Sequence, residues 1–229
     1  MGIPQHYSRD IAQRCQALIR HLRPIVQEGL PDDHQFGGPL ATTFLLAMAT
    51  PMIVLPVERI FKPVRAGADV PADDRQLDPA LADAVGQVLG PERAFADAPF
   101  YVRGRWSYAP GAPPFKLADN WPYELLERLG SDAAFAEADI TPAQRILLDL
   151  RNALAHGGIA YLDANGHATD GEAAMLAFAS ARTRNGRVTG VNVLRAHQDD
   201  FCDFVLAWAD WLAGSRAAGM LNEQDPIAA

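Results

Sequence analysis

The chain has 229 residues, of which 49% are hydrophobic and 21% charged, so one large or two small domains can bury a sizeable core without staples. Cys15 and Cys202 are the only cysteines, which excludes a disulfide-rich scaffold and a Cys-based zinc finger. A formal net charge of −8 argues against general adhesion to nucleic acid. Local basic patches stay open, and of the 20 basic residues only Lys62 and Lys116 are lysines.

The first residues show no positive region leading into an apolar core, so no signal peptide is expected and the location predicted is cytoplasmic. In residues 8–29, apolar Ile11, Cys15, Leu18, Leu22 and Ile25 alternate in steps of four and three, the face of an amphipathic helix. Residues 38–61 are apolar almost all round, which predicts a central helix kinked or broken by Pro51 and Pro56 rather than a membrane span. Residues 63–80 read as an acidic loop and 79–89 as a short helix. Residues 91–122 are rich in Pro, Gly and aromatics, among them Phe100, Tyr101, Trp106, Tyr108, Phe115 and Trp121, which predicts an irregular excursion from the main fold.

The best-signed helix starts at Thr141, where Thr141 and Gln144 match a capping box and Pro142 suits the first helical position. Leu147, Leu150 and Leu154 mark its buried stripe, and Gly157-Gly158 stop it. Strand-like runs follow at 158–163, 174–181 and 187–194, with Asn185-Gly186 as a hairpin signature. A last helix is expected at 198–213, with Asp199, Asp200 and Asp203 in its first turn and Phe201, Val205, Trp208 and Leu212 inside. Together these predict a mainly α domain over 1–229, a helical bundle with an irregular insertion at about 91–122. A small antiparallel β insertion at about 158–194 precedes the last helix.

The capped helix ends in Arg151-Asn152-Ala153-Leu154-Ala155-His156-Gly157-Gly158. A helix C-terminus offers unpaired carbonyls and a partial negative charge to a histidine, the side chain suited to moving protons near neutral pH. Arg151 is a permanent cation able to hold a phosphate oxygen bidentately. Arginine and histidine together suit phosphodiester chemistry without a metal. The structural alternative pairs Arg151 with Asp149 or another acid and leaves His156 capping its own helix.

Arg151-Asn152-x-x-x-His156 resembles the R-x4-6-H signature of HEPN domains, with Asn152 at the usual polar position, in a helix that stops at glycine before a final amphipathic helix. The resemblance implies a helical bundle that dimerises and apposes two copies of the motif. It implies a metal-independent endoribonuclease, without cofactor, of the kind found in toxin–antitoxin and phage-defence systems. His156 would then be the acid/base, Arg151 the phosphate clamp and Asn152 an orienting residue. One catalytic histidine per chain suits a composite site, with products ending in a 2′,3′-cyclic phosphate and a 5′-hydroxyl. The implied partners are RNA, such as tRNA or mRNA, a second copy of the chain and a cognate antitoxin protein. In one subgroup a tyrosine, the target of AMPylation, follows the histidine by two residues. Gly158 stands there, so control by that route is not expected.

Residues 98–118 and 173–198 contain no acids. Arg103 and Arg105 in the first, among aromatics, and Arg182, Arg184 and Arg187 in the second are candidate contacts to unpaired RNA. Glu58, at the end of the second helix, is a candidate supporting residue. The other histidines lack ligand spacing, and no metal is expected. A catalytically silent module of the same type, binding a nucleotide, an RNA or a partner protein, is the competing reading.

Overall fold

The computed structural model describes residues 6–31, 33–36, 40–67, 72–117 and 121–222. Helix α1 spans Tyr7–Glu28 and α2 Ala41–Pro56, which runs on through a π-helical turn, Val57–Phe61, into α3, Lys62–Ala66. Then come α4 (Pro79–Val88), β1 (Trp106–Ala112), α5 (Tyr123–Leu129), α6 (Asp132–Ile140) and α7 (Ala143–His156). Strands β2 (Ile159–Leu162), β3 (Met175–Arg184) and β4 (Arg187–His197) lead into α8 (Gln198–Asn222).

The expectation of a mainly α bundle is overturned. Helix accounts for 56% and strand for 18%, and the four strands form one antiparallel sheet in the order β1-β4-β3-β2. The sheet is a middle layer rather than an insertion, because both its faces are buried. Trp106, Tyr108, Leu176, Phe178, Leu194 and Ala196 join the main core with the large helices. On the other face Ala109, Ala177, Ala179, Val191 and Val193 pack with Trp121, Leu125 and Leu129.

The fourth strand comes from the segment expected to be irregular, of which residues 118–120 lie outside the described residues. Trp106 to Ala109 pair with Val193 to Ala196, and the register then shifts before Ala112. Pro110 and Gly111 fall at that irregularity. An edge strand tolerates them, since a proline there removes no bond that a second neighbour needs.

Helix α2 passes both its prolines without breaking. Pro56 has no N–H for the carbonyl of Met52 four residues back, and the Trp208 indole donates to that carbonyl instead, at 2.7 Å. The stretch Ala41–Ala66 is apolar and long enough to cross a membrane, yet Leu45, Ala49, Met52, Ile53, Val57 and Ile60 are all sealed in the core.

Helix α1 is rotated from the expected face. Ala12, Cys15, Ile19 and Val26 are buried, while Leu18, Leu22 and Ile25 are exposed. Polar anchors on the buried side set this rotation. Arg9 is ion-paired with Asp78 at 2.7 Å, and Gln16 donates to the Leu206 carbonyl and to Asp210 of α8 at 2.9 and 2.7 Å. Those groups would be costly to bury unpaired.

The expected capping box at Thr141 is also replaced. Thr141 Oγ1 donates to the Glu137 carbonyl at 2.7 Å and so closes α6 rather than opening α7. The first amide of α7, Ala143 N–H, is satisfied by the Arg93 carbonyl at 2.8 Å.

Candidate functional site

Helix α7 carries the motif and is fixed against the sheet by a buried polar network. Asp149 is 3% exposed, and its Oδ2 accepts from Tyr108 Oη of β1 at 2.8 Å, Asn192 Nδ2 of β4 at 2.9 Å and Arg145 Nε at 3.1 Å. Asn192 Oδ1 in turn accepts from Gly111 N–H at 2.9 Å. Burial first, and then the charge of and the hydrogen bond to Asp149, push the Tyr108 phenol far above its ordinary range, so it stays a donor. This network was not evident in the sequence, because its members come from three separate elements.

Arg151 and Asn152 follow on the same helix. Arg151 does not pair with Asp149. Its Nε forms an ion pair with Glu58 Oε1 on the π-helical turn, and Glu58 also holds Lys62 Nζ at 2.6 Å. Arg151 Nη1 donates to Asn152 Oδ1 at 2.7 Å, and Asn152 Nδ2 donates to Ser180 Oγ of β3 at 3.2 Å. A chain of polar contacts thus runs from Glu58 through Arg151 and Asn152 to the sheet. The arginine side chain is only 17% exposed.

The two glycines after His156 do different work. Gly157 has φ +71°, the left-handed cap that ends the helix, and its N–H returns to the Ala153 carbonyl. Gly158 lies against β3, where an added Cβ would come 2.2 Å from the Ala179 carbonyl oxygen. Its own carbonyl accepts from Ala179 N–H at 2.7 Å. Gly158→Ala must therefore force α7 and β3 apart. We expect a cost of about 3 kcal/mol or more, against about 1–2 kcal/mol for the left-handed strain of Gly157→Ala. Thermal unfolding of the two variants checks the order, and a milder effect for Gly158→Ala would mean that the close approach is not needed.

His156 is exposed, has no hydrogen-bond or ion partner among the described residues, and lines an open groove of about 480 Å³. Asn152, Ser180, Ala181, Val191 and Phe115 also line it. The structure thus brings Asn152 and His156 to one groove and sets Arg151 behind Asn152, outside the lining. An exposed imidazole with both nitrogens free can exchange protons with a bound molecule.

The candidate RNA contacts divide. Arg105 is ion-paired with Asp200, and Arg103 stands 3.5 Å from Asp139; neither lines the groove. Arg182, Arg184 and Arg187 lie on the exposed end of the β3–β4 hairpin, where Arg184 faces Arg187 across the strands. Arg182 reaches across Gly190 to Gly111. Thr183 and Val188, next to the hairpin arginines, line the groove. Ser180 and Phe115 were not singled out as site residues from the sequence; Ser180 is a plain strand position, and Phe115 showed only as one aromatic among many. Among the described residues no group of three or more His, Cys, Asp or Glu comes together as a metal site. Comparison with known proteins found no matching family model, no similar curated protein and no similar solved structure.

Proposed function

We propose that this chain is a metal-independent endoribonuclease of the HEPN type, acting as a homodimer in the cytoplasm within a toxin–antitoxin or phage-defence setting. The observation that carries the reading is His156. Without a partner among the described residues, it stands at a glycine-stopped helix end, on the rim of a groove it shares with Asn152.

In the reaction proposed, one His156 takes the proton of an RNA 2′-hydroxyl as its oxygen bonds to phosphorus. The bond from phosphorus to the 5′-oxygen breaks, and the second protomer's His156 gives that oxygen a proton. The products are a 2′,3′-cyclic phosphate and a 5′-hydroxyl. Arg151 supplies positive charge to the phosphorus as it becomes pentacoordinate. Asn152, bonded to both Arg151 and Ser180, keeps the arginine fork in place. The hairpin arginines Arg182, Arg184 and Arg187 draw in the phosphate backbone.

One observation favours the competing reading, a silent module that binds a nucleotide, an RNA or a partner protein such as an antitoxin. Glu58 neutralises part of the Arg151 charge within the protomer. Mapping the ends of RNA incubated with the purified protein in excess EDTA separates the two. Cyclic phosphate and 5′-hydroxyl ends are expected. Intact RNA with a folded, dimeric protein favours the binding module, and 5′-phosphate ends rule out the chemistry described.

A further inference from the structure

We propose that the groove beside His156 seats one unpaired nucleobase, between Phe115 on one wall and the open edge of β3 at Ala181 on the other; this rests on the ribonuclease reading and names the substrate feature it selects. The argument begins with the end of a strand. β2 pairs with β3 only from Leu162↔Met175 to Ile159↔Phe178. Ala179 N–H then bonds the Gly158 carbonyl, and beyond it no strand stands on that side of β3 among the described residues.

Backbone groups alternate along a strand. Since Ala179 turns its N–H towards the β2 side, Ala181 turns its N–H and C=O the same way, into the groove it lines. Ala181 is itself exposed. One donor and one acceptor side by side match the edge of a nucleobase, which carries the same pair of functions.

The rest of the lining suits a flat apolar ring. Ala179, Val191 and Leu117 are aliphatic, and Phe115 is half-buried with its ring held edge-on by Trp121 at a centroid distance of 5.0 Å. Stacking on an aromatic wall holds any base by its face.

Charge decides what kind of molecule fits. Arg184 and Arg187 oppose one another at the end of the hairpin that forms one bank of the groove. Like charges directly across a strand pair repel, and none of Arg182, Arg184 and Arg187 has an ion-pair partner among the described residues. The stretch 173–198 offers no acid to relieve them. A polyanion with exposed rings satisfies both the cations and the apolar floor. Paired bases in a duplex turn neither face nor pairing edge outwards, so the strand must be single.

The test uses His156→Ala protein, so that RNA is bound without being cut. Fluorescence anisotropy follows a labelled single-stranded oligoribonucleotide and the same strand annealed to its complement. The single strand is expected to bind about tenfold or more tightly than the duplex. Adding Phe115→Ala should weaken single-strand binding about tenfold. Adding Ala181→Pro removes only the outward N–H of an edge position and should weaken it about fivefold. Single-strand affinity unchanged by both substitutions, or equal affinity for the duplex, overturns the base seat while leaving cleavage untouched. A poly-glutamate peptide that competes as well as RNA would reduce the site to a general anion surface and overturn it too. No binding of either RNA by folded protein would take the ribonuclease reading down with it.

Discussion

His156→Ala is expected to lower the rate of RNA cleavage by ~10²–10⁴-fold, the range lost when a positioned general acid or base is removed. In a homodimer the substitution deletes both the base on one side of phosphorus and the acid on the other, so the upper part of that range is expected. The fold should be indifferent to it. His156 is exposed and has no partner among the described residues, and the stop of α7 depends on Gly157 and Gly158 rather than on the imidazole. The measurement is initial cleavage rate beside thermal unfolding. Full activity in the variant would remove His156 from the chemistry, and a collapse in Tm would show that the side chain holds the helix end.

The second large effect concerns stability. Asp149→Ala should destabilise the protein by about 3–5 kcal/mol, as expected when one member of a buried charged network is deleted. Tyr108, Asn192 and Arg145 all donate to the same oxygen, Asp149 Oδ2, and alanine would strand the two buried donors, Tyr108 and Asn192, without partners. For a chain of this size each kcal/mol moves Tm by about 2–4 °C, so a fall of roughly 10 °C is expected by calorimetry. Asp149→Asn keeps the shape and an acceptor oxygen and should cost less. The network also bears on function, because His156 lies two turns further along the same helix. If Asp149→Ala leaves Tm unchanged, α7 is held by its apolar stripe alone.

What could be read from the sequence depended on how local its cause was. The end of α7 is written in adjacent residues, a left-handed glycine followed by one that must lie against a neighbour, and the Asn185-Gly186 turn likewise announces the β3–β4 hairpin. The three-layer arrangement has no such signature. Ala177, Ala179, Val191 and Val193 are apolar because a second layer of helices covers that face of the sheet, and short strands with two covered faces read as ordinary apolar runs. β1 was hidden because Pro110 and Gly111 look like a break, and only their place on an edge makes them compatible with a strand.

The face of α1 was misread because Leu18, Leu22 and Ile25 carry the stronger apolar signal. The buried side is set by small residues and by Arg9 and Gln16, whose partners lie far along the chain. The same limit governs the site. Asn152 and His156 reach one groove because a helix places them four residues apart on the same side. Arg103 and Arg105 stood in a stretch without acids, and long-range pairing with Asp139 and Asp200 was invisible there. The same holds for Glu58 and Arg151, distant in sequence and brought together by the packing of α2 and its π-helical turn on α7.

The most direct test of the central claim is cleavage of total RNA and purified tRNA in excess EDTA by the wild-type protein beside Arg151→Ala. Wild type is expected to cut, and Arg151→Ala, lacking the cation that stabilises the transition state, to cut ~10²-fold or more slowly while staying folded. Cutting by both at the same rate would contradict the assignment of Arg151 and His156 as one catalytic unit, and no cutting by folded wild-type dimer would contradict the enzyme itself.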